Sequence, residues 1–298
     1  MIDTLHLFSE LPVALPGNPN LTRYIEVTTE DGEVREHARL RNLSVNSSAS
    51  GTRIKGSLAV YSQGANLPDL PFPQVAPALA SIELDLGLPL GALLDARVTR
   101  LDIGANLPVS RPVEEYTAAL RPPPRHTEVR VRDTAYFKTE TRELALYDKI
   151  AEAIRRGTPI PEAFRDTHGL RYELRLRRVS RELGRLVTAG MLAEPAFQEE
   201  LRAEWLRRFD TVRFAPAVRI ERPVDVKGLR EELAARGVEA TGGTAAAVHA
   251  VRVAEASGVL TRHQRYAQTR WLEALAPAGA VAMADVAAEL REAVYRTP

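Results

Sequence analysis

The alternation of apolar and polar residues in two segments is the feature that most constrains the fold of this chain. In LRYELRLRR (170–178), apolar residues occupy every second position and charged residues occupy most of the positions between them. VTRLDIGANL (98–107) places Leu101, Ile103 and Ala105 on one face in the same way. A repeat of two residues is typical of a β-strand that buries one face and exposes the other. Both segments therefore predict strands of a sheet that has one charged face.

Three predicted strands bring chemically reactive side chains to such a face. The strand over 98–107 has an acid in its middle, beside an arginine, and ELALYDK (143–149) offers a phenol and an amine. The side chains are Arg100 and Asp102 in the first strand, Tyr147 and Lys149 in the second, and Arg171, Glu173, Arg175 and Arg177 in the third. If these strands are neighbours in one antiparallel sheet, we expect their polar faces to converge on one surface.

Groups of these kinds, brought together, suit phosphoryl transfer. Two carboxylates such as Asp102 and Glu173 can hold Mg²⁺ or Mn²⁺, and the hydroxyl of Tyr147 can act as a nucleophile. A neighbouring lysine favours the phenolate, and arginines hold the flanking phosphates. The alternative is an ordinary solvent-exposed face, on which Glu173 forms surface ion pairs and Tyr147 packs across strands.

Composition narrows the choice of chemistry. The chain has no cysteine, which excludes disulfides, thiolate catalysis and zinc sites built on cysteine. No two of its six histidines are separated by a single residue, so a metal site here is based on carboxylates rather than on paired histidines. His6 is a possible additional ligand. Asp3 is another, although the alternation places it on the face of Leu5 and Leu7.

Positive charge in this chain is carried almost entirely by arginine, because lysine occurs at only four positions. The formal net charge is +1, and the planar guanidinium of arginine can bind two phosphate oxygens at once. The N-terminal segment lacks the basic region of a signal peptide, and no apolar run approaches the roughly 18 residues of a membrane helix. We therefore expect a protein of the cytoplasm that has no membrane partner.

Changes of pattern along the chain predict three regions. Residues 1–95 form a first α+β half, residues 96–185 a second α+β half with the candidate catalytic residues, and residues 186–298 a helical region. In the helical region we expect one helix over 244–257 and another from about 261 to 274. This pair is either a helix–turn–helix unit that presents a basic helix to DNA or a plain helical hairpin.

Several segments, taken in order along the chain, resemble those of a known family. The chain resembles the replication initiators of filamentous phages, of the gene II product type, and their plasmid and prophage relatives. The segments that carry the resemblance are MID at the start, IKGSLAVYSQGANL (54–67), VTRLDIGANL, RELALYDKIAEA (142–153), LRYELRLR, GGTAAAVHAVRVAEASG (242–258) and RHQRYAQTRWLEALAPAGA (262–280). The implied fold is two ferredoxin-like (RRM-like) halves that form one antiparallel sheet, followed by a helical C-terminal domain.

The resemblance implies an endonuclease that starts rolling-circle replication in the host cell. Such an enzyme nicks one strand at a double-strand origin, leaves a 3′-hydroxyl primer and joins strands at termination. By the match in RELALYDKIAEA, Tyr147 would be the nucleophile and Lys149 its neighbour, while Asp102 and Glu173 would be the ligands of Mg²⁺ or Mn²⁺. Tyr136, one short strand upstream, is the alternative nucleophile. The partners would be origin DNA, single-stranded DNA, and the host helicase and polymerase.

A second function is compatible with the same segments, namely a double ferredoxin-like sheet that binds nucleic acid without cutting it. Sheets of that kind present stacking aromatic residues on exposed strands, whereas aromatic residues are only 6% of this chain. Acids on the exposed faces repel phosphate unless a cation intervenes, which favours the nuclease. The residues expected to contact DNA in either case are Arg100, Arg171, Arg175, Arg177, Arg265 and Arg270.

Overall fold

The computed structural model describes most of the chain, in two compact units. The described residues are 1–67, 69–160, 162–164, 167–215, 217–220, 225–240, 243–275 and 281–297. The larger unit comprises Met1–Ala215 and Ala287–Pro298, and the smaller unit comprises Pro216–Val286. Among the described residues, no helix combines the length and the apolar composition needed to cross a membrane.

Strands dominate the larger unit. In chain order the strands are β1 (Ile2–Ser9), β2 (Leu21–Thr28), β3 (Val34–Leu40), β4 (Leu43–Ser48), β5 (Gly51–Ser57), β6 (Arg97–Val109), β7 (Leu120–Arg121), β8 (Thr127–Val131), β9 (Thr134–Lys138), β10 (Arg142–Asp148), β11 (His168–Leu176), β12 (Arg213–Phe214), β13 (Ala217–Ile220) and β14 (Val281–Ala284). The segments read as strands from their alternation become β6, β10 and β11, which confirms those three predictions.

Helices connect the strands and make up most of the smaller unit. They are α1 (Leu58–Gln63), α2 (Val75–Asp85), α3 (Val113–Ala119), α4 (Lys149–Arg156), α5 (Val179–Leu183), α6 (Pro195–Asp210), α7 (Val226–Ala240), α8 (Gly243–Ala256), α9 (Arg262–Ala274) and α10 (Val286–Tyr295). The fold class is therefore α+β, as the sequence predicts.

Ten strands form one antiparallel sheet, in the order β2-β3-β4-β5-β1-β6-β11-β10-β9-β8. The first five strands and the last five have the same arrangement, because in each set the first strand lies beside the last one and the others run outward as a meander. The first strands of the two sets, β1 and β6, pair at the centre of the sheet. The finer prediction of two ferredoxin-like halves stays a prediction.

The two faces of the central strands differ as the alternation predicts. On one face of β11, Leu174 lies opposite Ile103 of β6, and Tyr172 packs on the rings of Trp205 and Phe209 from α6. The Tyr172 and Trp205 ring centroids are 4.8 Å apart, and the Tyr172 hydroxyl donates a hydrogen bond to the Trp205 carbonyl. Aromatic burial of this kind holds the sheet to its helical layer. The opposite face carries the charged residues.

The smaller unit contains the predicted helix pair. The helices expected over 244–257 and 261–274 are α8 and α9, each within one residue of its expected bounds. Gly258, at a φ of +76°, lies in the turn between them. Thr261 and Gln264 form a capping box that begins α9, because each side chain accepts a hydrogen bond from the other residue's backbone N–H. Whether this pair contacts DNA as a helix–turn–helix unit stays a prediction.

Candidate active site

The guanidinium of Arg171 lies at the centre of a buried polar cluster on the charged face. Its side chain is only 1% exposed, and it donates hydrogen bonds to Asp69 (2.8 Å), Asp3 (3.2 Å), Glu173 and the side-chain oxygen of Asn106 (2.9 Å). Burial alone would lower the pKa of Arg171, but the three carboxylates raise it well above its ordinary value. These five residues are called the Arg171 cluster below.

Asp3 reaches this cluster because β1 contains a β-bulge. Between the pairs Ile2–Ile103 and Leu5–Leu101, β1 has two residues where β6 has one. The extra residue turns Asp3 from the face of Leu5 to the charged face, where one carboxylate oxygen accepts a hydrogen bond from the buried guanidinium. The expectation that Asp3 lies on the face of Leu5 is wrong for this reason.

Two members of the Arg171 cluster are missed by reasoning from the sequence. Asp69 lies between α1 and α2, among prolines in a loop far along the chain from β11, and no local pattern marks it. Its carboxylate also accepts hydrogen bonds from the backbone N–H of Asn106 (2.9 Å) and from the Asn106 amide (3.1 Å). Asn106 stands on the polar face of VTRLDIGANL and directly opposite Arg171, so its strand position is the one signal that could have found it.

Tyr147 and Glu173 are in direct contact. The Tyr147 hydroxyl donates a hydrogen bond of 2.9 Å to one Glu173 oxygen, and Tyr147 is 9% exposed. Burial raises the pKa of Tyr147 well above its ordinary value, and the Glu173 charge raises it further. Burial would also raise the pKa of Glu173, but Arg171 and Arg175 lower it to about 2. The resting pair is therefore a neutral phenol bound to an ionised carboxylate.

Lys149 stands beside Tyr147, although not on the same strand. Strand β10 ends at Asp148, whose side chain accepts a hydrogen bond from the backbone N–H of Ala151 and begins α4. Lys149 is the first residue of that helix, with its amine 5.8 Å from the Tyr147 ring centroid and 2.6 Å from a Glu152 oxygen. Burial, together with the Arg171 charge, lowers the pKa of Lys149. The helix start, rather than the strand, places this cation next to the phenol.

Asp102 lies next to this group on β6. Arg100 donates two parallel hydrogen bonds to it, at 2.9 and 2.7 Å, and Asp102 is 3% exposed. Burial raises the pKa of Asp102, while Arg100 lowers it and the Glu173 charge raises it. Arg175 lies opposite Asp102 in the strand pairing. Its guanidinium donates hydrogen bonds to two other acids, Glu173 at 2.7 Å and Glu143 at 2.7 Å.

The expected metal ligands, Asp102 and Glu173, do not fit a divalent-cation site in this arrangement. Both oxygens of Asp102 accept hydrogen bonds from Arg100, and both oxygens of Glu173 accept them from Arg171, Arg175 or Tyr147. A hard divalent cation needs oxygens of this kind as direct ligands. Arginine side chains therefore occupy the positions that a metal would need. Among the residues that the structure describes, no group of three or more His, Cys, Asp or Glu side chains is placed to hold a metal ion.

Tyr136, the alternative nucleophile, lies on the neighbouring strand opposite Ala145. Its side chain is half-buried and so more accessible than that of Tyr147. Two cations lie by its ring, the Lys138 amine at 4.9 Å and the Arg175 guanidinium at 5.8 Å from the centroid. Tyr136 therefore has the better access, and Tyr147 has the carboxylate partner.

The six arginines expected to contact DNA have different environments. Arg171 is enclosed in its cluster, so it positions other side chains and is not available to a phosphate, which corrects its predicted role. Arg100, Arg175 and Arg177 keep their side chains 32%, 22% and 45% exposed while they pair with acids. In the smaller unit, Arg265 forms an ion pair with Glu255 at 2.6 Å, and exposed Arg270 lies 6.0 Å from the Tyr266 ring centroid.

Gly104 allows β6 to approach the site closely, and replacing it with alanine is expected to distort the site. An added Cβ would lie 2.7 Å from Glu173 Cγ, 3.0 Å from the Tyr172 carbonyl and 3.1 Å from an Arg171 nitrogen. We expect Gly104→Ala to lower the free energy of unfolding by about 1–3 kcal/mol, as overpacking does elsewhere. Urea unfolding followed by Trp205 fluorescence, in a Trp271→Phe background, measures this change.

The control for Gly104→Ala is Gly237→Ala in α7, where an added Cβ meets nothing within 4 Å. The control should leave the Trp205 transition unchanged. An equally small effect of Gly104→Ala would mean that the strands adjust without cost and that the close approach is not required.

The site as a whole brings together a phenol, a carboxylate that accepts its hydrogen bond, and several cations on the charged face of β6, β11 and β10. Such a set can hold a phosphodiester and stabilise charge that develops on it. No protein-family model matches this chain, and a search of curated proteins finds no match. The likeness to phage replication initiators therefore rests on the sequence segments themselves.

Proposed function

We propose that the protein nicks and rejoins one strand of DNA at a replication origin, with Tyr147 as the nucleophile. The observation that carries this proposal is the hydrogen bond from the Tyr147 hydroxyl to Glu173, with Arg175 and Lys149 next to it. A phenol held by a carboxylate among cations is suited to attack on a phosphodiester, because the attack moves negative charge onto phosphate oxygens.

The proposed step exchanges one ester bond for another. The Tyr147 oxygen attacks phosphorus, the bond from phosphorus to the 3′-oxygen breaks, and the protein becomes joined to the 5′-phosphate. The phenol proton passes along the hydrogen bond to Glu173, and the departing 3′-oxygen takes up a proton from solvent water to become the primer hydroxyl. The reverse reaction joins strands without any external energy source.

Substrate binding strengthens Glu173 as a proton acceptor in this proposal. Arg171 and Arg175 lower the pKa of Glu173 to about 2, which makes it a weak base at rest. A phosphate that binds Arg175 competes with Glu173 for the same guanidinium, so the pKa of Glu173 rises toward its ordinary value. The general base therefore becomes effective only when DNA is bound.

Cationic side chains supply the charge stabilisation in this proposal. Arg175 and Arg100 are partly exposed and can reach a phosphate. The Lys149 amine is paired with Glu152 and lies 5.8 Å from the Tyr147 ring centroid. Because Asp102 and Glu173 are bound by arginines, no step is assigned to a metal. The dependence on Mg²⁺ or Mn²⁺ that the family resemblance implies is measured in the assay below.

The test uses supercoiled DNA that carries the origin of the replicon encoding this chain. The full chain is incubated with it in Mg²⁺, in Mn²⁺ or in a chelator, and the DNA is examined for nicks and for protein joined to a 5′ end. We expect nicked circles and an adduct whose tryptic peptide contains Tyr147. An adduct on Tyr136 would move the nucleophile to β9, and tight binding without a nick would remove the nickase activity.

A second candidate function is DNA binding without cleavage, and one observation favours it. Acids on the charged face repel phosphate only if they are unpaired, and here Asp102, Glu143 and Glu173 are each bound by arginine. The face can therefore receive a phosphate backbone without a metal. In either case we propose that the protein acts in the host cytoplasm together with host helicase and polymerase. We also propose that its sheet consists of two halves related to the ferredoxin-like fold.

A further inference from the structure

A basic groove lies on the charged face of the larger unit, at the end of the central strands away from Tyr147. It has a volume of about 520 Å³ and is lined by His6, Arg53, Lys55, Thr99, Arg100 and Arg177. The lining side chains come from β1, β5, β6 and the residue after β11, which are neighbours in the sheet, and none of them is an acid. These six residues are called the basic groove below.

Cations of the groove are aligned across the sheet by strand pairing. His6 of β1 lies directly opposite Lys55 on one side and Arg100 on the other. Burial, together with the Arg100 and Lys55 charges, lowers the pKa of His6 to about 4. His6 is therefore neutral at neutral pH, and the positive charge belongs to the arginines and to Lys55. Charges this close repel one another, so an anion between them is stabilising.

Two cations of the basic groove have no carboxylate partner among the described residues. Arg100 and Arg177 are paired with Asp102 and Glu143, but for Arg53 and Lys55 no ion pair is found among the residues that the structure describes. Both side chains are exposed on β5. An exposed cation without a partner is free to bind a phosphate and release the counterion that it otherwise holds.

An aromatic ring lies at the edge of the groove. The guanidiniums of Arg53 and Arg97 are 5.2 and 5.9 Å from the centroid of the Phe8 ring, which is half-buried on β1. Cation–π contacts hold these two long side chains near one position, so less conformational entropy is lost when they bind a ligand. An aromatic residue within a track of cations is the combination that proteins use to bind single-stranded nucleic acid.

We propose that the basic groove binds the backbone of single-stranded DNA and leads it toward the candidate active site. Arg100 belongs to both, since it lines the groove and binds Asp102. Along β6 the distance from Arg100 to Gly104, which lies opposite Glu173, is about 13 Å at the rise of an extended strand. A single DNA strand bound in the groove therefore passes within a few nucleotides of Tyr147. The choice of DNA rests on the proposed function.

The test measures the affinity for a fluorescent oligo(dT) by anisotropy, between about 50 and 200 mM salt. It uses the full chain with Tyr147→Phe, so that attack by the Tyr147 hydroxyl cannot affect the result. The groove variant is Arg53→Ala/Lys55→Ala. The matched control is Arg125→Ala/Arg132→Ala, which also removes two exposed positive charges but lies by β8, at the far edge of the sheet.

The groove variant is expected to bind oligo(dT) about tenfold more weakly than the parent chain. The slope of log affinity against log salt should fall by about 1.4, because each contacted phosphate of a single strand contributes about 0.7. The control should keep the affinity and the salt slope of the parent chain. Arg53→Lys/Lys55→Arg, which retains both positive charges, should bind oligo(dT) as the parent chain does. An unchanged slope in the groove variant, or an equal loss in the control, would overturn the proposal.

Two further ligands distinguish binding of single-stranded DNA from binding of duplex DNA or of RNA. Duplex DNA of the same length should bind more weakly and depend less on Arg53 and Lys55, and equal binding would overturn the single-strand assignment. Oligo(U) that bound more tightly than oligo(dT) would overturn the choice of DNA. None of these measurements requires nicking, so failure of the nickase proposal leaves the groove result intact, and failure of the groove leaves the adduct assay intact.

Discussion

Replacing Arg171 with methionine is expected to destabilise the larger unit by about 3–5 kcal/mol, the cost of removing one partner from a buried ion pair. The guanidinium is the shared donor to Asp3, Asp69 and Glu173, and it is 1% exposed. Methionine has a similar length but no charge, so these carboxylates would lose their common cation in a region that water reaches poorly. Arg171→Lys should recover only part of the loss, because one amine cannot match a planar five-donor guanidinium.

Urea unfolding measures this loss, with Trp205 as the reporter in a Trp271→Phe background. The matched control is Arg181→Met, which removes an arginine from the exposed ion pair with Glu140, where both side chains are more than half exposed. Exposed pairs contribute at most about 1 kcal/mol. A loss below about 1 kcal/mol for Arg171→Met would contradict the central role assigned to its guanidinium.

The pH dependence of the Arg171→Met effect follows from Glu173. In the wild type the folded pKa of Glu173 is about 2 against an ordinary value of 4.5. The stabilisation from its ion pairs is therefore present above about pH 4.5 and is lost as the pH falls toward 2. Without Arg171, burial favours the protonated acid, so the variant gains relative stability as the pH falls. The difference between the two proteins should narrow below about pH 4.5, and a difference that grows there would contradict this sign.

The polar face was predictable because strand alternation is local. The residues of β11 alternate strictly, and their pairing with β6 and β10 puts Arg175 opposite Asp102 and Glu143. The same alternation misplaced Asp3, because a β-bulge depends on how β1 meets β6 and not on the residues of β1 alone. The contact of Asp69 with Arg171 could not be predicted either, since Asp69 lies in a loop between two helices that is distant from Arg171 in the sequence.

Charge neutralisation is the other feature that local sequence did not predict. Alternation placed arginines next to Glu173 on the same face, and this is compatible both with a metal site and with internal ion pairs. In the structure these side chains form ion pairs, partly through long-range contacts such as that between Arg177 and Glu143. The start of α4 at Lys149 could be predicted from the sequence, because Asp148 precedes a helical segment and aspartate is a favourable N-cap residue.

Replacing Tyr147 with phenylalanine is expected to reduce nicking and covalent attachment on the order of 10³-fold or more, because the nucleophilic oxygen is removed. The fold should tolerate this change. Phenylalanine preserves the ring, and Glu173 keeps its hydrogen bonds with Arg171 and Arg175, so the loss in stability is about 1 kcal/mol from one hydrogen bond. The readouts are the fraction of nicked circles and the yield of protein joined to a 5′ end.

Tyr136→Phe is the matched control for Tyr147→Phe, since it removes one phenol from the same face and the neighbouring strand. It should leave the yield of the 5′ adduct within about threefold of wild type. Tyr136 has cations beside its ring, but among the residues that the structure describes no carboxylate is found hydrogen-bonded to its hydroxyl to accept the proton. A collapse of activity in Tyr136→Phe together with full activity in Tyr147→Phe would assign the nucleophile to β9. Full activity in both would show that a water molecule, rather than either tyrosine, attacks the phosphodiester. Loss in Tyr147→Phe alone, with DNA affinity and the unfolding midpoint retained, would tie the chemistry to the phenol that Glu173 holds.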